Sequence, residues 1–225
     1  MAGTLFEDSH TSLQSWFYAI YLFTTTRHGV SAKELQRQLG VTYKTAWRMG
    51  HQIRKHMAEV NGNGPLSGIV EIDEVMIGSK KTGRHTPNAT GKTILLGMME
   101  RSGSVMVKAV SDTRNQTLHP VIEQNVAKGS ELHTDMWQGY KSLKQVGYTH
   151  KAIKHHSGVY AKDGVHVNTL EGYWSHLQRA IRSTHVFVSG KYLEQYAAEF
   201  SFRFNLRKSP SLMFPALVSS FLPLK

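Results

Sequence analysis

A helical N-terminal region followed by an α/β core, a mixed sheet flanked by helices, is the fold class that this 225-residue sequence predicts. Three observations predict it. The apolar residues repeat with a helical period up to about residue 60, and beyond it short β-branched runs take over. Between the two lies "NGNGPLSG", residues 61–68, where Gly, Asn and Pro break any regular element. After this break come three strand-like runs, a helix, a further strand and then more helices, which is an α/β order with an antiparallel start. The boundaries expected are a helical region over 1–60, a linker over 61–67, the core over 68–208 and a C-terminal tail over 209–225.

Each element has a local reason. Ser12 is placed to cap a helix through about Thr26, apolar on most sides (Leu13, Trp16, Phe17, Ile20, Phe23) and therefore buried. Ser31 caps a short helix ending near Leu39 and Gly40, and Thr42 caps a second one running to about Met57. Two helices joined by a short turn with a Gly in it form the helix-turn-helix pattern. Ala46, Met49 or Gly50, Ile53 and Met57 point inward in the second helix, which leaves Tyr43, Lys44, Thr45 and Arg48 outward near its start, where recognition helices meet DNA. A plain helical hairpin with a solvated basic face is the other reading of the same residues. Past the linker, "GIVEIDEVMIG" (68–78), "KTILLGMMERSG" (92–103) and "SVMVKAVSD" (104–112) read as strands. A helix over about Thr117–Ala127 follows, then strands in "ELHTDMW" (131–137) and "THKAIKH" (149–155). "VNTLEGYWSHLQRAIRS" (167–183) places Leu170, Trp174, Leu177 and Ile181 on one helical face, and a last long helix runs from about Lys191 to Asn205. Trp137, Trp174 and Phe200 read as core aromatics.

Composition narrows the function. The net charge is +3 over residues 1–66, zero over 67–140 and +8 over 141–225, which makes +11 for the chain. Two basic flanks around a neutral middle favour a polyanion, and nucleic acid is the commonest. Cysteine is absent, so cysteine zinc sites and thiol nucleophiles are excluded and no zinc is expected. The run from Trp16 to Phe23 is too short to span a bilayer and the first twelve residues are polar, so a soluble cytoplasmic protein, associated with the nucleoid of a bacterium, is expected. No phosphate-binding Gly motif or Ser/His nucleophile motif argues for a small-molecule enzyme.

The acids carry the chemistry. "VEIDEV" sets Glu71, Asp73 and Glu74 in one strand, where an unpaired buried carboxylate costs several kcal/mol. An edge strand with one wet face would accommodate Glu71 and Asp73 but not Glu74. Asp135 stands late in another strand, and Glu171 lies three residues after Asn168, the spacing of a capping box. An acid in the first strand, one at the end of the fourth and one on a later helix is also what divalent-metal phosphoryl transfer needs, since hard cations take oxygen ligands. That order of elements is the one found in RNase H-like nucleases and DDE transposases. The local cap and the metal ligand both remain open for Glu171.

With "GTLFEDS", "LQRQLGVTYKTAWRM", "VEIDEVMIG", "LHTDMWQGY" and "HVNTLEGYWSHLQRAIRSTHVFVSGKYLEQYAAEFSFRFNLR" in this order, nearly the whole chain resembles the ISXO-like group of bacterial insertion-sequence transposases, relatives of the Merlin elements. The resemblance implies an RNase H-like catalytic core with Asp73, Asp135 and Glu171 as catalytic acids and metal ligands, the last two 36 residues apart. It implies two Mg²⁺ (or Mn²⁺) ions, a double-stranded DNA partner made of terminal inverted repeats and target, and a homo-oligomer that joins two ends. Asn168 is the reserve for the third acid; His166 and His156 belong to the same motifs and are otherwise phosphate-facing or surface residues. Tyr43, Lys44, Thr45 and Arg48 would contact the repeats, while Lys151, Lys154, Arg179, Arg182, Arg203 and Arg207 would hold phosphates. The chain departs from the group twice: many members begin with a four-cysteine zinc ribbon, absent here, and Gln178 stands where a Lys is usual. A transposase that cuts and rejoins DNA is therefore expected. A transposase-derived DNA-binding protein without cleavage, or an RNase H-like nuclease, is the alternative.

Overall fold

The computed structural model describes residues 4–61, 64–78, 92–101, 103–153 and 165–221. The N-terminal helices are α1 (Leu13–Thr25), α2 (Ala32–Leu39) and α3 (Tyr43–Val60). All three expected caps form: the Ser12, Ser31 and Thr42 hydroxyls accept the backbone N–H of Ser15, Glu34 and Thr45 at 3.1–3.2 Å. These bonds satisfy amides that a helix start cannot pair internally. Gly40 ends α2 in the left-handed region (φ 65°), which a Cβ would disfavour, and the chain then enters α3 two residues later. Ala46, Met49, Gly50, Ile53 and Met57 are buried, as their spacing requires.

The chain divides into two compact units. The first holds described residues of the stretches 1–63, 180–186 and 195–225. A helix, α7 (Met213–Ser219), carries Met213 and Leu217 one turn apart, and both bury in the same core as Trp16, Phe23, Met49 and Phe202. Inside this unit Glu199, 0% exposed, lies between Arg54 at 2.7 Å and Arg203 at 2.8 Å. Arg54 also donates to the Val30 carbonyl, and Arg203 to that of Phe23. Burial pushes the Glu199 carboxyl up, yet the guanidinium charges of Arg203 and Arg54, with His185, outweigh it and hold it below the usual range.

The second unit, residues 64–179 and 187–194, contains a five-stranded sheet. Its strands are β1 (Ile69–Gly78), β2 (Lys92–Glu100), β3 (Val105–Val110), β4 (Glu131–Asp135) and β5 (Thr149–Ile153), in the spatial order β3-β2-β1-β4-β5. The first three are antiparallel; β4 and β5 run parallel to β1 and to each other. This is the RNase H-like arrangement. It makes β1 a central strand, which overturns the edge-strand reading of "VEIDEV". On one face α4 (Asn115–Asn125) adds Leu118 and Ile122 to a core with Val70, Ile72, Leu96, Met98 and Leu132. On the other lies α5 (Asn168–Ala180), and the chain continues through a π-helical turn (Ile181–His185) to α6 (Gly190–Asn205). Leu170, Trp174, Leu177 and Ile181 are all buried, as one apolar face should be. No helix among the described residues is long and apolar enough to cross a membrane.

Candidate active site

The sheet brings the acids together. Register pairs Glu71 of β1 with His133 of β4 on adjacent parallel strands, so Asp73 and Asp135 follow two residues later on each. Across the other edge of β1, Asp73 pairs with Gly97 of β2. A Cβ at Gly97 would collide with the Trp174 ring and with Leu170, so the glycine is what lets α5 approach the strand. The approach has a polar consequence: the Trp174 indole N–H donates to Asp73 Oδ2 at 3.1 Å. Trp174 is thus a core residue, as expected, and also an anchor for the first acid.

Asp73 shows what surrounds it. Burial, first, pushes its carboxyl up to about 6; the negative charges of Asp135 and Glu171 push in the same direction, against the Glu74 backbone and Trp174 hydrogen bonds. Two of the acids expected from the sequence therefore act on the third, although the three stem from two strands and a helix. Glu74, on the opposite face, is raised to about 7 by burial, with Asp135 and Asp73 adding to it and the Tyr140 hydroxyl opposing. Asp135 closes β4, and its Oδ1 accepts the backbone N–H of Trp137 at 2.9 Å, which turns the chain away from the sheet. Trp137 is half exposed, not core as its aromatic character suggested.

Glu171 is exposed near the start of α5, and the capping box expected there does not form. Its backbone N–H bonds to the Val167 carbonyl, so Val167 occupies the cap position and Asn168 the first helical one. Valine has no acceptor to offer. Glu71 supplies it from β1: Oε2 accepts the N–H of Thr169 at 3.1 Å and of Leu170 at 3.2 Å, and Oε1 accepts the Thr169 hydroxyl at 2.9 Å. Arg101, at 3.5 Å, and the His166 ring, at 3.2 Å, stand on the same carboxylate, which is 0% exposed. The network continues. Arg101 has only donors, so His133 Nδ1 must accept from it at 3.1 Å, which puts the ring hydrogen on Nε2 facing Glu131 at 2.6 Å. Neither Glu71 nor Arg101 and His133 were selected from the sequence; the one signal was an acid too many in a strand.

The remaining expected residues fall into three groups. Exposed are Lys44, Tyr43 (with the Lys33 ammonium over its ring), Arg179, Arg182 and Asn168. Engaged within the protein are Thr45, bonded to Thr42; Arg48, which reaches Ser9; Lys151, paired with Glu131; His166, beside Glu71; and Arg207, stacked on Phe204. Arg203 is a correction: 9% exposed and committed to Glu199 and the Phe23 carbonyl, it is not placed to hold a phosphate. Lys154 and His156 lie outside the described residues.

A hard divalent cation fits the donor set, because carboxylate oxygens whose charges push Asp73 up gain from a cation between them. As placed, no three His, Asp or Glu side chains among the described residues are arranged around a single ion position.

Similarity to known proteins follows the same lines. A protein of the transposable element ISH50 of Halobacterium salinarum, itself uncharacterised, is 28% identical over 92% of this chain and 75% of its own length. An uncharacterised transposase-like protein of Haemophilus influenzae is 27% identical over 45% of this chain and 80% of its own. Among solved structures, a chain of a simian T-cell lymphotropic virus intasome aligns over 76% of this chain and 63% of its own (15% identity, TM-score 0.38), so the present chain spans less than two thirds of it. A pre-cleavage Mos1 transpososome chain aligns over 93% and 80% (14% identity, TM-score 0.35). The ISXO2-like transposase domain matches residues 65–205, from within the Gly-rich break to the end of α6. With well over half of its length matched, the chain belongs to the ISXO2-like transposase family.

Proposed function

We propose that the protein is an insertion-sequence transposase that binds terminal inverted repeats and catalyses metal-dependent DNA cleavage and strand transfer. The observation that carries the proposal is the placement of Asp73 within β1 and Asp135 at the end of β4, each two residues beyond the paired Glu71 and His133, with the charges of Asp135 and of Glu171 near the start of α5 both acting on Asp73. Those three side chains would hold Mg²⁺ or Mn²⁺, two ions in the family's scheme. When bound, such ions supply an activated water or 3′-hydroxyl and stabilise the leaving oxygen. The chain's own contribution is placement. Trp174 fixes the Asp73 carboxylate, the turn through Trp137 fixes that of Asp135, and Glu71 ties the start of α5 to β1 so that Glu171 has a defined position.

Recognition is assigned to α3, with Tyr43 and Lys44 exposed at its start, and phosphate contact to exposed cations such as Arg179 and Arg182. Phosphate neutralisation of this kind makes affinity fall steeply with salt. Joining two ends in one complex calls for at least two copies of the chain. The second reading, a DNA-binding protein of the family without cleavage, is favoured by the acids' not converging on one position. The test is cleavage of labelled DNA carrying the sequences that flank the gene, in Mg²⁺ or Mn²⁺. The proposal expects end-specific cleavage by wild type and bound but uncut DNA for Asp73→Asn, Asp135→Asn and Glu171→Gln. Bound ends left intact by wild type in both metals would establish the second reading instead.

A further inference from the structure

Two residues beyond Asp135 an indole stands half exposed to solvent. Trp137 is 50% exposed and Met136 beside it 59%, although burying them would be favourable by roughly 1.5–3 kcal/mol for a large apolar side chain. Yet the ring is not loose. Its N–H donates to the Thr113 carbonyl at 3.0 Å and its backbone N–H to Asp135 at 2.9 Å. Gly139 makes the docking feasible: a Cβ there would collide with the Thr113 carbonyl and press on the Trp137 ring at 3.1 Å. The polar edge of the indole is therefore satisfied inside the protein, and half of the residue, held by that bond, is left to solvent.

We infer that Trp137 is a stacking platform for a nucleobase displaced from the duplex beside the cleaved phosphate. This deepens the transposase reading and rests on it. Chemistry selects a base over other occupants. A preoriented aromatic plane binds another flat π system with little loss of side-chain freedom. The chain on either side of the ring carries exposed cations: Arg114 follows the carbonyl that anchors the indole, and Lys141 closes the 3-10 turn (Gln138–Tyr140) after it. Aromatic faces bracketed by cations are the surface that single-stranded nucleic acid uses. A base next to a strand break has lost covalent continuity with its neighbour and so gives up its stacking most readily. Met136 stands ready to occupy the gap that such a base leaves.

The test uses the full chain with duplex DNA carrying the element's end and 2-aminopurine placed in turn at each base flanking the cleavage position. Fluorescence reports unstacking, and cleavage and sedimentation are followed on the same samples. Wild type is expected to change the signal at one or two of these positions. Trp137→Ala is expected to abolish that change and to slow cleavage about 5- to 150-fold, the range for loss of one base–aromatic stack, with duplex affinity altered less than threefold. Trp137→Phe, which keeps a ring and controls for a folding defect, is expected to retain most of the signal. An unchanged signal in Trp137→Ala, or wild type that binds and cuts with no position unstacked, overturns the platform while leaving the transposase reading intact. A change of oligomeric state in Trp137→Ala with normal fluorescence makes the ring a subunit contact and overturns it too. Ends that wild type does not bind at all overturn both.

Discussion

Glu71→Gln is the substitution most informative about how the site is held. Four donors converge on this carboxylate: the Thr169 and Leu170 amides on one oxygen, and the Thr169 hydroxyl and Arg101 on the other. Glutamine keeps one oxygen and turns the other into an NH₂ that faces two donors. Hydrogen bonds to a charged group are worth ~1.5–3 kcal/mol each, and a buried partner left unpaired costs as much again as its desolvation. The Thr169 hydroxyl can rotate to accept, so the two lost bonds do not add fully, and a loss of about 2–4 kcal/mol follows. Glu71→Ala also takes from Arg101 its carboxylate partner, leaving it His133, and should cost ~3–5 kcal/mol, the scale for breaking a buried pair. Urea denaturation followed by circular dichroism measures both. Amide exchange adds a local readout, since the Thr169 and Leu170 N–H groups should exchange faster while those of β5 do not. A Glu71→Gln variant within about 0.5 kcal/mol of wild type, with both amides still protected, would refute the account of how α5 is capped.

Three further predictions follow from buried charge. Glu199→Gln leaves Arg54 and Arg203 without their counter-charge and should lower the stability of the N-terminal unit by ~3–5 kcal/mol in thermal melts. His185 is held down to about 4 by burial first and then by Arg54, so the native ring stays neutral while the unfolded chain takes up a proton. Its stability contribution is complete above about pH 6.5 and is lost as pH falls towards 4, by ~3 kcal/mol, and His185→Gln should flatten that part of a pH–stability curve. Asp73 has the opposite sign: raised to about 6, it keeps its proton in the native state longer than in the unfolded one, so stability falls as pH rises from about 4 to 6. Asp73→Asn should accordingly be more stable than wild type by ~2–3 kcal/mol at pH 8 without divalent metal, and not at pH 3. The His185 and Asp73 windows overlap with opposite signs, so each variant must be compared with wild type at every pH.

What the sequence made legible was local. Ser12, Ser31, Thr42 and Gly40 announce helix ends through bonds made within three or four residues, and those ends are where they were expected. The strands were legible from β-branched runs, and β4 ends at Asp135 because that side chain starts the turn itself. What escaped depends on partners far along the chain. Glu71 looks like the wet side of an edge strand until β4 is laid beside β1 and α5 is brought over it, with its donors 98 and 99 residues away. Arg203 looks like a phosphate ligand until Glu199, one helical turn before it, is found inside the core. Trp137 looks like core because tryptophans usually are, and only the fold shows that Thr113 holds its edge and leaves the residue half exposed. The Asn168–Glu171 box failed by one position, since the carboxylate of β1 already does the capping.

Asp73, Asp135 and Glu171 are proposed to share a divalent cation. Manganese binding, followed by electron paramagnetic resonance on the full chain bound to its end DNA, tests this most directly. Wild type is expected to bind Mn²⁺, with affinity weakened at least about tenfold, or 1.4 kcal/mol, in each of Asp73→Asn, Asp135→Asn and Glu171→Gln. Wild-type affinity retained in Glu171→Gln, with the two aspartate variants impaired, would contradict the proposal and move the third ligand to Asn168; affinity unchanged in all three would remove the metal site altogether.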